Sequence, residues 1–254
     1  MKKRKAGIGI FVIVLIITAV RVKSMDSHRI SGRILAENIA GPGMLRLVEQ
    51  SMQSRAQKTS VTEIAVKERK YPQAALTFDD GPDIRYTPLL LDGLKERNVR
   101  ASFFLLGEKV EQYPELVERM QKEGHLVGNH TYHHVQLNKL NETKAREEIL
   151  KTNNLIYETT GVYPLYLRPP FGAWKKNLEL CVEMLPVFWT IDTLDWKVKN
   201  TEKIVRTVKE QIEDGAIILM HDEYDTSVEA ALQVVDELKN QGYELVTVDQ
   251  LILP

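Results

Sequence analysis

A single cysteine, Cys181, stands in 254 residues. No intrachain disulfide framework and no multi-cysteine zinc site can therefore form. Net charge is also scarce: 34 basic residues against 35 acidic ones leave −1. Internal repeats and low-complexity tracts are missing. The apolar and charged fractions, 43% and 27%, are ordinary for a globular chain and exclude wholesale disorder and a polytopic membrane protein. The small net charge hides a division. Residues 1–23 hold six Lys or Arg and no acid, whereas residues 71–254 hold 20 basic against 30 acidic residues. An acidic body lacks the clustered cations that neutralise phosphate, so nucleic acid is excluded as the main partner.

Residues 1–23 open with Lys2, Lys3, Arg4 and Lys5, followed by an uninterrupted apolar run from Ala6 to Val20. That layout is a secretory signal. The run is short for a full span, although snorkelling by Arg21 and Lys23 extends it. Thr18-Ala19-Val20 is a poor cleavage site, so an uncleaved signal anchor is expected ahead of a cleaved signal peptide. Positive-inside bias then puts the remainder outside the cytoplasm, tethered to the membrane, or secreted if the signal is removed. Residues 24–70 read as a polar linker or stalk, broken by Gly41-Pro42-Gly43, with a short helix expected around Met44–Ala56.

From residue 71 to 254 short apolar runs alternate with amphipathic segments. Strands are expected at Ala74–Phe78, Ala101–Leu106, His125–Gly128, Leu165–Leu167, Val187–Ile191, Ala216–Met220 and Leu245–Val248. Helices are expected from Thr87-Pro88, over Pro114–Lys122, from an Asn141 cap to Thr160 with Gly161 ending it, from a Thr201 cap to Glu213, and over Ser227–Lys239. This β-α alternation predicts a parallel sheet with outer helices, either a barrel or a doubly wound sheet. About seven strands in this length favour a small or incomplete barrel.

In such folds chemistry gathers at the carboxyl ends of the strands. Asp79 and Asp80 follow the first expected strand, His130 and His134 the third, and Arg168 the fourth. Asp192 and Asp195 follow the fifth, and His221 and Asp222 the sixth. Each motif has an ordinary reading when taken alone. Asp-Asp-Gly-Pro is common turn chemistry; a histidine cluster can be solvated or core; an arginine before Pro-Pro can be surface. Jointly they supply ligands, base, acid and orienter. Histidines four apart can grip one cation, His133 competing for the place of a ligand, and Asp80 completes a set that leaves positions open for water and substrate. A carboxylate beside His221 would keep that imidazole protonated.

Thr77-Phe78-Asp79-Asp80-Gly81-Pro82, His130-Thr131-Tyr132-His133-His134, Arg168-Pro169-Pro170-Phe171-Gly172, Asp192-Thr193-Leu194-Asp195-Trp196 and Ile218-Leu219-Met220-His221, in this order, resemble the five motifs of the polysaccharide deacetylases. This is carbohydrate esterase family 4, the NodB-homology domain. The resemblance implies a distorted, incomplete (β/α) barrel that removes acetyl groups from acetylated sugars. By position it implies Asp79 as general base, Asp80, His130 and His134 as metal ligands, and Arg168 as the residue orienting the base. His221 matches the general acid and Asp195 the carboxylate that tunes it. The Phe171 amide matches an oxyanion donor, and Trp196 and Leu219 the walls of an acetate pocket. The implied cofactor is a divalent metal, Zn2+, with Co2+ or Ni2+ as alternatives.

The expected activity is hydrolytic N-deacetylation of a cell-wall polysaccharide, peptidoglycan above all, by a monomeric catalytic domain. An O-acetyl esterase of xylan type and a non-catalytic glycan-binding wall protein are the alternatives. A glycosidase using paired acids is disfavoured, because neighbouring Asp79 and Asp80 cannot straddle a glycosidic bond at the ~5 Å or more required.

Overall fold

The computed structural model describes residues 70–174 and 184–252. The expected basic head and apolar run, the linker up to residue 69 with its short helix, and Cys181 lie outside the described residues.

The element order is β1 (Gln73–Asp79), α1 (Thr87–Glu96), β2 (Ser102–Leu105), α2 (Gly107–Gln112), α3 (Pro114–Lys122), β3 (Leu126–Asn129) and α4 (Glu142–Thr160). It continues with β4 (Tyr166–Leu167), β5 (Leu185–Pro186), β6 (Ile191–Asp192), α5 (Asp195–Val198), α6 (Thr201–Gln211), β7 (Ala216–His221), α7 (Asp225–Asn240), β8 (Glu244–Leu245) and α8 (Val248–Ile252). Local chemistry sets the main boundaries. Proline opens α1 and α3 where no amide is needed. The Asn141 side chain accepts from the Lys144 amide to start α4, and Gly161 ends it in the left-handed region at φ 73°.

The strands form one parallel sheet in the order β5-β4-β3-β2-β1-β7-β6. β8 pairs with the start of β1, at Gln73 and Ala74, on the edge whose far end pairs with β2. Alternation along β1 separates two cores. Ala74, Leu76 and Phe78 join Phe103, Leu105, Ile218 and Met220 beneath the outer helices. Ala75 instead meets Phe104, Tyr166, Val187 and Val248 inside the curve of the sheet. Side chains from β1 and β4 meeting in one interior cluster make this a barrel rather than a doubly wound sheet. The ends of the path, β5 and β6, do not pair with each other among the described residues. The barrel is thus distorted and incomplete.

Several expectations need correction. The incomplete parallel barrel is as expected, with eight short strands for about seven, but the run Val187–Ile191 is not one strand. Its amide at Val187 bonds to Leu167 O, while Thr190 N bonds to Ile217 O. The run therefore leaves the β4 edge and reaches the β7 edge, bridging the gap where the barrel fails to close. Asn200, not Thr201, caps α6: its side chain accepts from the Lys203 amide at 2.9 Å, and Thr201 Oγ1 donates to Glu229 instead. The last strand stops at Leu245, and Val248 begins a helix whose first residue enters the inner core.

Candidate active site

Asp79 is the last residue of β1, aligned with His221 at the end of β7 and with Phe104 on β2. The two-residue period of the strand points Thr77 and Asp79 inward. Arg168 follows β4 and is wholly buried against the Phe104 ring, 4.2 Å from its centroid. Its Nη1 donates to Asp79 Oδ1 at 2.8 Å and to Thr77 Oγ1 at 2.6 Å. Thr77 Oγ1 in turn donates to Ile218 O at 2.7 Å. Burial raises the Asp79 carboxyl above its usual range, and the charges of Arg168 and His221 work against that rise. A carboxylate held this way is fixed in place yet remains a usable proton acceptor.

Asp80 has φ 69°, a left-handed conformation that short polar residues tolerate. Asp80, His130 and His134 bring three donor atoms within 4.8 Å of one another. His130 Nε2 and His134 Nε2 each lie 3.4 Å from Asp80 Oδ1. Arg168 O, a carbonyl that can only accept, lies 2.6 Å from His130 Nδ1. The proton therefore sits on Nδ1 and a lone pair on Nε2 faces the carboxylate. Burial pushes His130 down to about 3, which keeps it neutral. Asp80 Oδ1 is itself buried and accepts no hydrogen bond. Two electron-pair donors aimed at each other in a buried pocket are unfavourable without a cation between them. The donor set fits one divalent ion.

His221 closes β7 and Asp195 opens α5. His221 Nδ1 lies 2.8 Å from Asp195 Oδ1, and the His221 amide donates to Asp195 Oδ2 at 2.8 Å. Ser227 Oγ donates to the same Oδ2 at 2.7 Å. Burial alone would lower the imidazole, but the Asp195 bond and charge, with Asp79 and Asp80 beyond, hold it up at about 9. Asp195 is buried yet kept below its usual range by these partners. The other ring nitrogen of His221 points into the site, 3.9 Å from Asp80 Oδ2.

Residues 67–188 match the family model described as polysaccharide deacetylase. The peptidoglycan-N-acetylglucosamine deacetylase PgdA of Listeria monocytogenes is 42% identical over 185 residues, 73% of this chain and 40% of that protein. The peptidoglycan-N-acetylmuramic acid deacetylase PdaC of Bacillus subtilis is 44% identical over 177 residues, 70% of this chain and 38% of that protein. A structure of B. subtilis PdaC superposes with a TM-score of 0.70 at 42% identity, covering 72% of this chain and 91% of that one. The chain belongs to the polysaccharide deacetylase family.

Membership in this family does not extend to the whole length of those two curated relatives, since the chain spans 40% and 38% of them. The family's five motifs nevertheless converge here at one end of the barrel. Phe171 sits at φ 60° with its ring 4.5 Å from that of His134 and largely exposed. Trp196 is half-exposed beside Asp195 in the chain, and Leu219 is buried two residues before His221. His133 is not in the cluster: it is exposed and its Nδ1 lies 2.8 Å from Glu148. Asp192 accepts from the Leu194 amide at 2.9 Å and serves the turn. Sequence reading missed Thr77 and Ser227. Thr77 carried a signal, being polar and two positions before Asp79 on the same strand face.

Proposed function

We propose that this chain is a metal-dependent N-deacetylase of N-acetylhexosamine residues in peptidoglycan, releasing acetate. The observation that carries this reading is the buried, unpartnered Asp80 Oδ1 facing two imidazole nitrogens, 3.4 Å from each. The base and acid candidates flank that point. Relatives named as peptidoglycan deacetylases support the substrate class.

Asp80, His130 and His134 would hold the ion. Zn2+ suits two imidazoles and one carboxylate, and Co2+ or Ni2+ can replace it. When bound, the ion supplies a Lewis acid that polarises the acetamide carbonyl and acidifies water. Asp79 accepts the proton of the attacking water, its Oδ1 being anchored by Arg168 and Oδ2 remaining for that task. The Phe171 amide donates to the developing oxyanion, a contact typically worth about 3–4 kcal/mol. Trp196 and Leu219 wall the acetyl group. His221, protonated through Asp195, delivers its Nε2 proton to the leaving amine, and acetate and a free amino sugar result. The amine needs that proton because an amide anion is a very poor leaving group, so the high pKa of His221 suits an amide substrate.

The activity is placed outside the cytoplasm, with residues 1–23 as the tether and the catalytic domain as a monomer. Among the described residues no helix is long and apolar enough to cross a membrane. The test is acetate release from purified peptidoglycan by the Zn2+-loaded full chain, with acetylated xylan and a chitooligosaccharide as further arms. Chelator-sensitive release from the wall, with mass spectrometry locating free amino sugar, is the expected result. Release from the xylan ester alone, or from no substrate, would overturn it.

A further inference from the structure

The loop between the two histidine ligands is strained, and a residue outside the five motifs holds it. Thr131 and His134 lie in the left-handed region, at φ 66° and 55°, a conformation that histidine tolerates but that is an outlier for β-branched Thr131. Three successive amides of this loop point at side-chain acceptors rather than at a strand or helix. The Thr131 amide donates to Asn129 Oδ1 at 2.7 Å. The next two donate to one carboxylate oxygen of Glu148 on α4, Tyr132 N at 3.1 Å and His133 N at 2.9 Å. The other carboxylate oxygen lies 2.8 Å from His133 Nδ1. Asn129 is itself tied to α4, donating to Ile149 O at 2.9 Å and Asn153 Oδ1 at 2.6 Å. The Glu148 side chain is 16% exposed, so water competes poorly for these amides.

We propose that Glu148 is a positioning residue for the cation site: it fixes the loop from His130 to His134 so that both imidazoles face Asp80. The assignment rests on the ion-binding reading of Asp80, His130 and His134. Without the carboxylate the Tyr132 and His133 amides are orphaned, and the loop relaxes toward conformations that supply other acceptors. His134, beyond the clamp, then loses its aim first. His133, which sequence spacing offered as a rival ligand, gives its backbone amide to the clamp instead.

The test is Co2+ affinity of the full chain, read from the visible spectrum against a competing chelator, for wild type and four variants. Partners of metal ligands typically change affinity by roughly 10–100-fold when removed. Glu148→Ala should weaken Co2+ binding by that factor and alter the spectrum of the residual complex. Glu148→Asp keeps the charge but falls short of the amides, and should weaken binding at least tenfold; it serves should the alanine variant not fold. Glu148→Gln retains an acceptor oxygen for both amides and should stay within threefold of wild type. His133→Ala leaves both amide bonds intact and should do likewise. Wild-type affinity in the Ala or the Asp variant overturns the assignment, as does a Gln variant as weak as Ala. A wild type that takes up no Co2+ removes the cation site itself, and the assignment with it.

Discussion

Replacing Asp195 with Asn tests whether the His221–Asp195 pair sets the acid. Asp195 is fully buried, with one oxygen on His221 Nδ1 and the other on the His221 amide and Ser227 Oγ. Asparagine can keep its amide oxygen on the latter two donors. Its NH2 group then faces Nδ1 and donates, which requires a neutral ring there. Burial, already the largest influence on this imidazole, is left opposed only by the more distant Asp79 and Asp80, so its pKa should fall from about 9 to its usual 6.5 or below. At pH 8 the protonated fraction drops from about 90% to about 3%. Proton donation at that pH becomes about thirtyfold scarcer, equivalent to about 2 kcal/mol in the barrel's rate of amide cleavage. The gap should narrow as pH falls, because protonation of the variant ring then rises toward that of the wild type. The direct assay is an NMR titration of the His221 ring in metal-free protein; the functional one is the ratio of wild-type to variant acetate release across pH 6–8. Coincident titrations, or a ratio that does not change with pH, would refute the reasoning.

Asp79→Asn should lower turnover by about 10²–10⁴-fold while Zn2+ binding, followed by equilibrium dialysis, stays near wild type; undiminished acetate release would remove Asp79 as base. Arg168→Met strips the counter-charge from a buried carboxylate and should cost about 3–5 kcal/mol in urea unfolding, partly recovered when combined with Asp79→Asn. A loss no larger than that of an exposed arginine would mean that Asp79 is neutral in the folded protein. Gly81→Ala should destabilise by about 1–3 kcal/mol. The added Cβ would stand 2.5 Å from Asp222 Oδ1, and that carboxylate is buried and bonded to Thr87 Oγ1. An alanine variant as stable as wild type would show that the loop after β1 can move away from Asp222.

The strand ends were legible because costly residues recur there at the register of a parallel sheet. Asp79 and His221 come out as direct neighbours across two strands, which their separation in the chain hides but their shared place at strand ends implies. What could not be read was where apolar residues change partners. Val187–Ile191 has strand composition, yet its two ends bond to opposite edges of the sheet. Composition records burial, and burial inside an unclosed barrel does not require strand pairing. The Asn200–Thr201 ambiguity is of a different kind, since both are cap formers and only the bond to the Lys203 amide decides between them.

Glu148 shows how a supporting residue can be sought in a sequence where motifs capture only the groups that touch the reaction. On α4 the buried stripe runs through Ala145, Ile149 and Thr152, and Glu148 shares that face at helical spacing. A carboxylate on the inner stripe of a helix needs donors, and Glu148 finds two in backbone amides outside its own helix. Those amides belong to the turn between His130 and His134, which lies between β3 and the next helical segment and is itself neither helix nor strand. Its backbone takes left-handed φ values at Thr131 and His134. Loop strain and an inner-face acid are thus two sides of one requirement, that a turn aiming two imidazoles at Asp80 be held by something other than an ion. In this chain that load falls on α4, which gives the long helix between the second and third motifs a part in the site as well as in the core.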